Sequence, residues 1–351
     1  MNIKSLLLGS AAALVAVSGA RAADAVVVAE PEPVEYVRVC DAYGAGFFYI
    51  PGTETCLKIG GYVRTQAVGG DNVYSGDKFE TYLWQSRATV RFDARSETEL
   101  GTLRSFIETR FDYTVGRKDT TVDNVLQENA VDGGQTTTLT HAYIELGGFR
   151  VGLTDSQFDT WTGSAGNVIA DDVISYAGGR TNQISYTFAG GNGFSAFVGA
   201  EQGDSDHIIE DYLPHVVAGA KFEQAWGAIS GVVGYDSVVE EFAGKVRLDV
   251  KFNDTISGFV LGGYKSEDSY YGTWNGDYAI WAGLSAKVSE KAEINGQVAY
   301  EDDGTIAAAL NVNYELVPGF VVTPEIEYTN FGGERGDDDA FAGVIRFQRN
   351  F

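Results

Sequence analysis

The chain has 351 residues, with 49 acidic side chains against 25 basic ones and a formal net charge of −24 at pH 7. A chain this acidic repels polyphosphate backbones, which argues against nucleic acid as a partner. Its 44 glycines, 19 tyrosines and 20 phenylalanines stand beside 6 prolines and one methionine, the initiator, a balance that suits a sheet protein with tight turns better than a helical one.

In chain order, Lys4, the apolar run from Leu6 to Val17 and the small residues ending at Ala20-Arg21-Ala22 read as a cleaved signal peptide over residues 1–22, so the protein is exported. Beyond it no stretch approaches the ~18 uninterrupted apolar residues of a transmembrane helix, and a membrane would have to be crossed by strands. Residues 23–56 are irregular, with the Pro31-Glu32-Pro33 break and a glycine-rich stretch from Ala42 to Phe47, and are expected to form a periplasmic N-terminal segment. Cys40 and Cys56, the only cysteines, lie there. An oxidising periplasm favours a disulfide between them, with two reduced, buried thiols as the alternative.

From Leu57 onward a period of two takes over, which predicts strands with two chemically different faces. Tyr82, Trp84, Ala88, Val90 and Phe92 alternate with Gln85, Arg87, Thr89, Arg91 and Asp93. The pattern recurs at Phe242 to Phe252, at Tyr278 to Lys287 and in the last strand, where Phe341, Ile345, Phe347 and Phe351 share one side. Aromatics bracket the apolar faces, as an interfacial girdle requires. About sixteen such segments follow one another, near 57–68, 81–94, 100–113, 138–147, 149–154, 181–189, 193–201, 214–223, 226–236, 242–252, 255–264, 276–288, 291–301, 304–315, 320–329 and 339–351. The connections at 71–78, 117–135, 155–180, 202–213, 266–275 and 330–338 are long. Those at 147–148, 190–192, 253–254, 289–290 and 317–319 are short. This asymmetry predicts an all-β, 16-stranded antiparallel transmembrane β-barrel over residues 57–351, with long external loops, short periplasmic turns and both ends periplasmic.

A barrel of sixteen strands is too wide for side chains to fill, so a loop folded into the lumen is the natural way to narrow it. The segment at about 154–181 is expected to do so, carrying Asp155, Asp159, Asp171 and Asp172. Facing it, the inward sides of the first three strands and the last carry Arg64, Arg87, Arg91, Arg104, Arg110 and Arg346. A turn near Glu97-Thr98 would set Arg91 nearly opposite Arg104, with Glu108 and Asp112 as compensating acids. The two sets predict a pore constriction with a field across it. Solvated charges that merely keep the lumen wet are the alternative.

An enzyme is not indicated: only His141, His207 and His215 are available, and neither a Gly-x-Ser-x-Gly elbow nor a His-Glu-x-x-His helix occurs. No cofactor and no resident metal are expected. Asp204 to Asp206 and Asp337-Asp338-Asp339 read as solvated acids, or as sites where divalent ions bridge to lipopolysaccharide.

The run Val39-Cys40-Asp41-Ala42-Tyr43-Gly44-Ala45-Gly46-Phe47-Phe48-Tyr49-Ile50-Pro51-Gly52-Thr53, then Cys56-Leu57-Lys58-Ile59-Gly60-Gly61-Tyr62, resembles the alphaproteobacterial porins, the Brucella-type general porins in particular. Phe149-Arg150-Val151-Gly152-Leu153, Gln183-Ile184-Ser185-Tyr186 and the terminal Phe351 extend the resemblance over the whole chain. It implies a homotrimer of sixteen-stranded barrels in the outer membrane of a Gram-negative bacterium, an inward third external loop, both cysteines paired, and diffusion of small hydrophilic solutes and ions. Phe351 would then serve as the C-terminal signal for the barrel-assembly machinery, and lipopolysaccharide would surround the external side. A sugar-specific channel should carry a ladder of lumen aromatics. Tyr143, Trp161 and Trp281 are too scattered for one, which leaves that reading second and an adhesin third.

Overall fold

The computed structural model describes residues 37–122, 125–176, 178–333 and 338–351. The expected signal peptide, residues 23–36 of the expected N-terminal segment and Asp337 lie outside them. After a 3-10 turn at Asp41–Tyr43 comes a two-residue strand, β1 (Phe48–Tyr49). Sixteen long strands follow: β2 (Cys56–Asp71), β3 (Lys78–Thr98), β4 (Gly101–Val122), β5 (Val125–Leu146), β6 (Phe149–Asp155), β7 (Arg180–Ala189), β8 (Phe194–Glu201), β9 (His215–Gln224), β10 (Gly227–Asp236), β11 (Glu241–Lys251), β12 (Ile256–Lys265), β13 (Tyr278–Lys287), β14 (Ala292–Glu301), β15 (Ile306–Val317), β16 (Phe320–Asn330) and β17 (Asp339–Asn350). Each long strand pairs antiparallel with the next, and β17 pairs with β2 from Ala342↔Gly70 to Asn350↔Tyr62. The sheet therefore closes on itself and has no long free edge. Beyond the last strand, the backbone of Phe351 exchanges hydrogen bonds with Gly61 at 3.0 and 3.1 Å.

The period of two decides which side chains face inward. On β3, Tyr82, Trp84 and Phe92 are open to the surroundings, while Thr89 and Asp93 are buried on the other face. On β13, Tyr278, Ile280 and Leu284 point out and Ala279 and Trp281 point in. Outward aromatics fall in two bands. Tyr235, Phe242, Tyr264, Tyr278, Tyr300 and Tyr328 lie toward the long-loop end, and Phe149, Tyr186, Phe194, Phe222, Trp226 and Phe252 toward the short-turn end.

One end is closed by the turns 99–100, 147–148, 190–193, 225–226, 252–255, 288–291 and 318–319, and the other carries 72–77, 156–179, 202–214, 266–277 and 331–338. Two details differ from the sequence reading. Residues 117–135 were expected as a loop, yet the β4–β5 ladder runs on to Val122↔Val125, through a register shift between Lys118 and Thr120. The β-branched Thr120, Thr121, Val122 and Val125 favour extended backbone over loop. The β3–β4 turn is centred on Glu99 and Leu100, with Thr98 opposite Gly101, two residues later than expected. Gly101, at φ +107°, provides the left-handed position that this turn requires. Arg91 therefore faces Glu108, and Arg104 faces Arg95.

Gly152 on β6 has φ +126° and sits opposite Tyr143, where an added Cβ would stand 2.3 Å from the Ala142 carbonyl oxygen. Gly152→Ala is expected to cost on the order of 2–3 kcal/mol, combining backbone strain and overpacking. It should lower the temperature at which the folded barrel converts to the slow-migrating unfolded form in electrophoresis. Gly262→Ala, with open space at its Cβ, should leave that temperature unchanged; equal transitions in both variants would contradict the account.

Candidate functional site

The long connection 156–179 crosses the inside of the barrel, because lumen-facing side chains of strands far apart around the wall hold it. It starts at the short helix α1 (Gln157–Thr160), capped by Ser156, whose Oγ accepts from the Phe158 N–H. Glu201 of β8 accepts from the Ser156 hydroxyl and the Gln157 N–H at 2.7 and 2.8 Å. Lys245 of β11 donates to the Tyr176 carbonyl at 2.5 Å and lies 4.4 Å from the Phe158 ring centroid. Trp281 of β13 donates to the Ile174 carbonyl, Gln297 of β14 to that of Asp171, and Asn311 of β15 to that of Asn167. Glu325 of β16 takes the Ile169 and Ala170 N–H groups at 2.6 to 2.9 Å. Apolar burial adds to these bonds: Phe158, Trp161 and Ile174 pack with Phe197, Leu261 and Trp281 in one buried cluster.

A second connection joins that cluster. Tyr270, Tyr271 and Trp274, within residues 266–277, are almost fully buried against it, so the long external connection read at 266–275 also packs into the barrel. Three aromatics among the polar residues of that loop were the available signal. His215 of β9 is buried here too, stacked on Tyr270 and 3.1 Å from Asp236, which makes it part of the loop packing.

The other side of the lumen is basic. Register sets Arg346 beside Gln66, Gln348 beside Arg64, Arg64 beside Arg87 and Arg87 beside Asp112. Arg64 and Arg87 are like charges directly opposite each other, a costly placement unless each is relieved. Arg87 pairs with Asp112 at 2.6 Å, and Arg110 and Arg91 both pair with Glu108, at 3.1 and 2.5 Å. Arg64 and Arg346 instead donate to the neutral amides of Gln348 and Gln66, each at 2.8 Å, and neither forms an ion pair among the described residues.

Of the residues singled out from the sequence, Arg64, Arg87, Arg110 and Arg346 line one cavity of about 650 Å³ together with Asp171 and Asp172. Arg91 and Arg104 lie outside that lining, closer to the short-turn end. Asp172 accepts from the Tyr74 hydroxyl at 2.8 Å, which ties this loop to 72–77. Asp171 accepts from Tyr176 at 2.7 Å, and burial pushes its carboxyl up to about 6. Asp159 does not face the basic wall. It is turned into its own loop, taking the Gly178 and Gly179 N–H groups at 2.8 and 3.0 Å, and burial pushes it up to about 7 although Lys245 and those N–H groups act the other way. Asp155 sits at the end of β6 opposite Arg180 and belongs to the wall.

The profile of the porin subfamily matches residues 24–346 of the sequence. The chain belongs to that family. Porin Omp2a of Brucella melitensis biotype 1 and porin Omp2b of Brucella suis biovar 1 are each 53% identical to it over 367 aligned positions that cover both chains in full. Among solved structures, the outer membrane channel DcaP of Acinetobacter baumannii aligns with a TM-score of 0.66 at 18% identity, covering 86% of this chain and 99% of its own. A mutant of the Rh. blastica porin aligns at 0.58 and 13% identity, covering 84% and 100%. The protein is thus an outer-membrane porin, a channel for small solutes. No helix of the described residues is long and apolar enough to cross a membrane, and the porin crosses with strands.

A disulfide links Cys40 and Cys56 of the porin, with the Cα atoms 6.0 Å apart. The sequence reading missed the loop anchors Glu201, Lys245, Gln297, Asn311 and Glu325. By alternation alone they cannot be told from polar residues that only face water.

Proposed function

We propose that the pore narrows between Asp171 and Asp172 on one side and Arg64, Arg87, Arg110 and Arg346 on the other, and that it passes small hydrophilic solutes and ions passively through a field across this gap. The shared cavity carries this reading, because opposite charges that face each other across water without closing into ion pairs leave a polarised passage. Arg64 and Arg346, held by neutral amides, supply positive charge that no bonded carboxylate cancels. A sugar-specific ladder is disfavoured, since Trp161 and Trp281 are committed to holding the loop. The functional unit is a homotrimer, as the sequence resemblance implies. Phe351, at the closing edge of the barrel, is the signal read by the assembly machinery, and external acids such as Asp204 and Asp206 meet lipopolysaccharide through divalent ions.

Titrating the gap tests this reading. Asp171, with its carboxyl near 6, is mostly neutral below that pH and charged above it. Cation preference, read as the reversal potential in a salt gradient, should therefore rise between about pH 5 and 7, a window one unit to either side of that midpoint. In Asp171→Asn the rise should flatten. A wild-type reversal potential constant over this window would contradict the assignment.

A further inference from the structure

We propose that the disulfide-bonded segment from Cys40 to Cys56 forms a second narrowing of the pore, at the short-turn end, opposite to the end from which the loop carrying Asp171 enters. The wall is uneven there. Phe351 is paired with Gly61, so residues 56–60 of β2 project past the last strand, and β1 takes up that free edge with Phe48 opposite Leu57 and Tyr49 opposite Cys56. The preceding residues double back, with Val39 bridging to Phe48 and the Cys40 N–H donating to the Phe47 carbonyl at 3.0 Å.

This fold lies on the lumen side. Cys56 and Lys58 share the inward face of β2 with Arg64, so the disulfide draws Cys40 inside. Lys58 donates to the Ala45 carbonyl at 3.2 Å, and Arg95, inward on β3, lies 5.1 and 5.7 Å from the Phe47 and Tyr43 ring centroids. The Tyr43 hydroxyl donates to Glu97 at 2.7 Å. Beneath these contacts runs a ladder of ion pairs: Arg95 and Arg104 with Asp93 at 2.7 and 2.9 Å, then Arg104 and Arg150 with Glu145 at 2.8 and 2.7 Å. Arg104, expected at the main constriction, belongs to this seat. The ladder fixes the Arg95 guanidinium, on which both the Phe47 and Tyr43 rings rest, and each of the two contacts adds a cation–π attraction.

The guanidinium groups of the ladder are all bonded to carboxylates, and the four cations at this end, Lys58, Arg95, Arg104 and Arg150, meet the three acids Asp93, Glu97 and Glu145, so the net charge here is small. The second narrowing therefore sorts solutes by bulk, whereas the gap at Asp171 acts on charge. This inference needs only that the barrel conducts and does not depend on the charged gap, and the two have separate readouts.

The test uses planar-bilayer recordings of the full-length mature protein, the Cys40→Ser/Cys56→Ser variant and Phe47→Ala, which keeps its disulfide. Neutral polyethylene glycols of graded size are added to one side at a time. On one side only, polymers that wild type excludes should enter both variants and depress their conductance. Polymer-free conductance should rise by at least about a quarter, as expected when one of two narrowings in series is relieved, with the reversal potential unchanged. If the double variant does not assemble, Phe47→Ala decides. Unchanged polymer cut-offs on both sides in heat-modifiable Phe47→Ala barrels would overturn the proposal, and so would a changed reversal potential without a changed cut-off.

Discussion

Replacing Glu325 with alanine is expected to free the tip of the inward loop and convert steady openings into noisy ones of larger conductance. Glu325 is 3% exposed, and its carboxylate accepts from the Ile169 and Ala170 N–H groups and from Asn311. Hydrogen bonds to a buried charged group contribute roughly 1.5–3 kcal/mol each, and orphaned N–H groups add a desolvation penalty, so the tip loses on the order of 3–5 kcal/mol of anchoring. Of the remaining anchors, Glu201, Lys245 and Trp281 hold the start and the return of the loop, while Asn311, Gln297 and Tyr74 each give one hydrogen bond, to Asn167, Asp171 and Asp172 respectively, on either side of the tip and leave the Ile169 and Ala170 N–H groups without their acceptor. The barrel should therefore assemble with its heat-modifiability intact. Mean conductance should rise on the order of twofold as the tip leaves the gap. Glu325→Gln keeps one acceptor oxygen and should fall between. A quiet Glu325→Ala channel of wild-type conductance would mean that the tip is held by something else.

The second large effect concerns selectivity. Arg64→Gln combined with Arg346→Gln removes two guanidinium groups of the basic wall that have neutral amide partners, while Arg87–Asp112 and Arg110–Glu108 stay paired. Both positions line the cavity shared with Asp171 and Asp172, where charges act on permeating ions within the ~8 Å screening length of physiological salt. The reversal potential in a tenfold potassium chloride gradient should move toward the potassium equilibrium potential, by on the order of 10 mV. The same exchange at Arg104, which sits in the ion-pair ladder, should move it far less. An equal shift from Arg104→Gln would undo the distinction between the two ends of the pore.

Alternation made the barrel legible. An inward or outward assignment needs only parity, and parity survives boundary errors of a residue or two. Register is more fragile, because it hangs on the turn. Moving the β3–β4 turn from Glu97-Thr98 to Glu99-Leu100 kept every face but exchanged partners, giving Arg91 to Glu108 and Arg104 to Arg95. Gly101 was the missed marker. The lining of the shared cavity was legible in part. Arg64, Arg87, Arg110, Arg346, Asp171 and Asp172 follow from strand faces and loop position, whereas Asp159 reads identically in sequence and yet turns inward to satisfy its own loop's N–H groups. Tertiary contacts of this kind leave no periodic trace, and the same holds for Glu325 and Lys245.

The most direct measurement is the single-channel conductance of the purified protein in a planar bilayer, taken together with its reversal potential under a salt gradient. The account predicts stepwise, ohmic openings in groups of three, with a weak ion preference that follows the charge of Asp171 and of the Arg64–Arg346 wall. Barrels that insert and are heat-modifiable yet carry no current would contradict it.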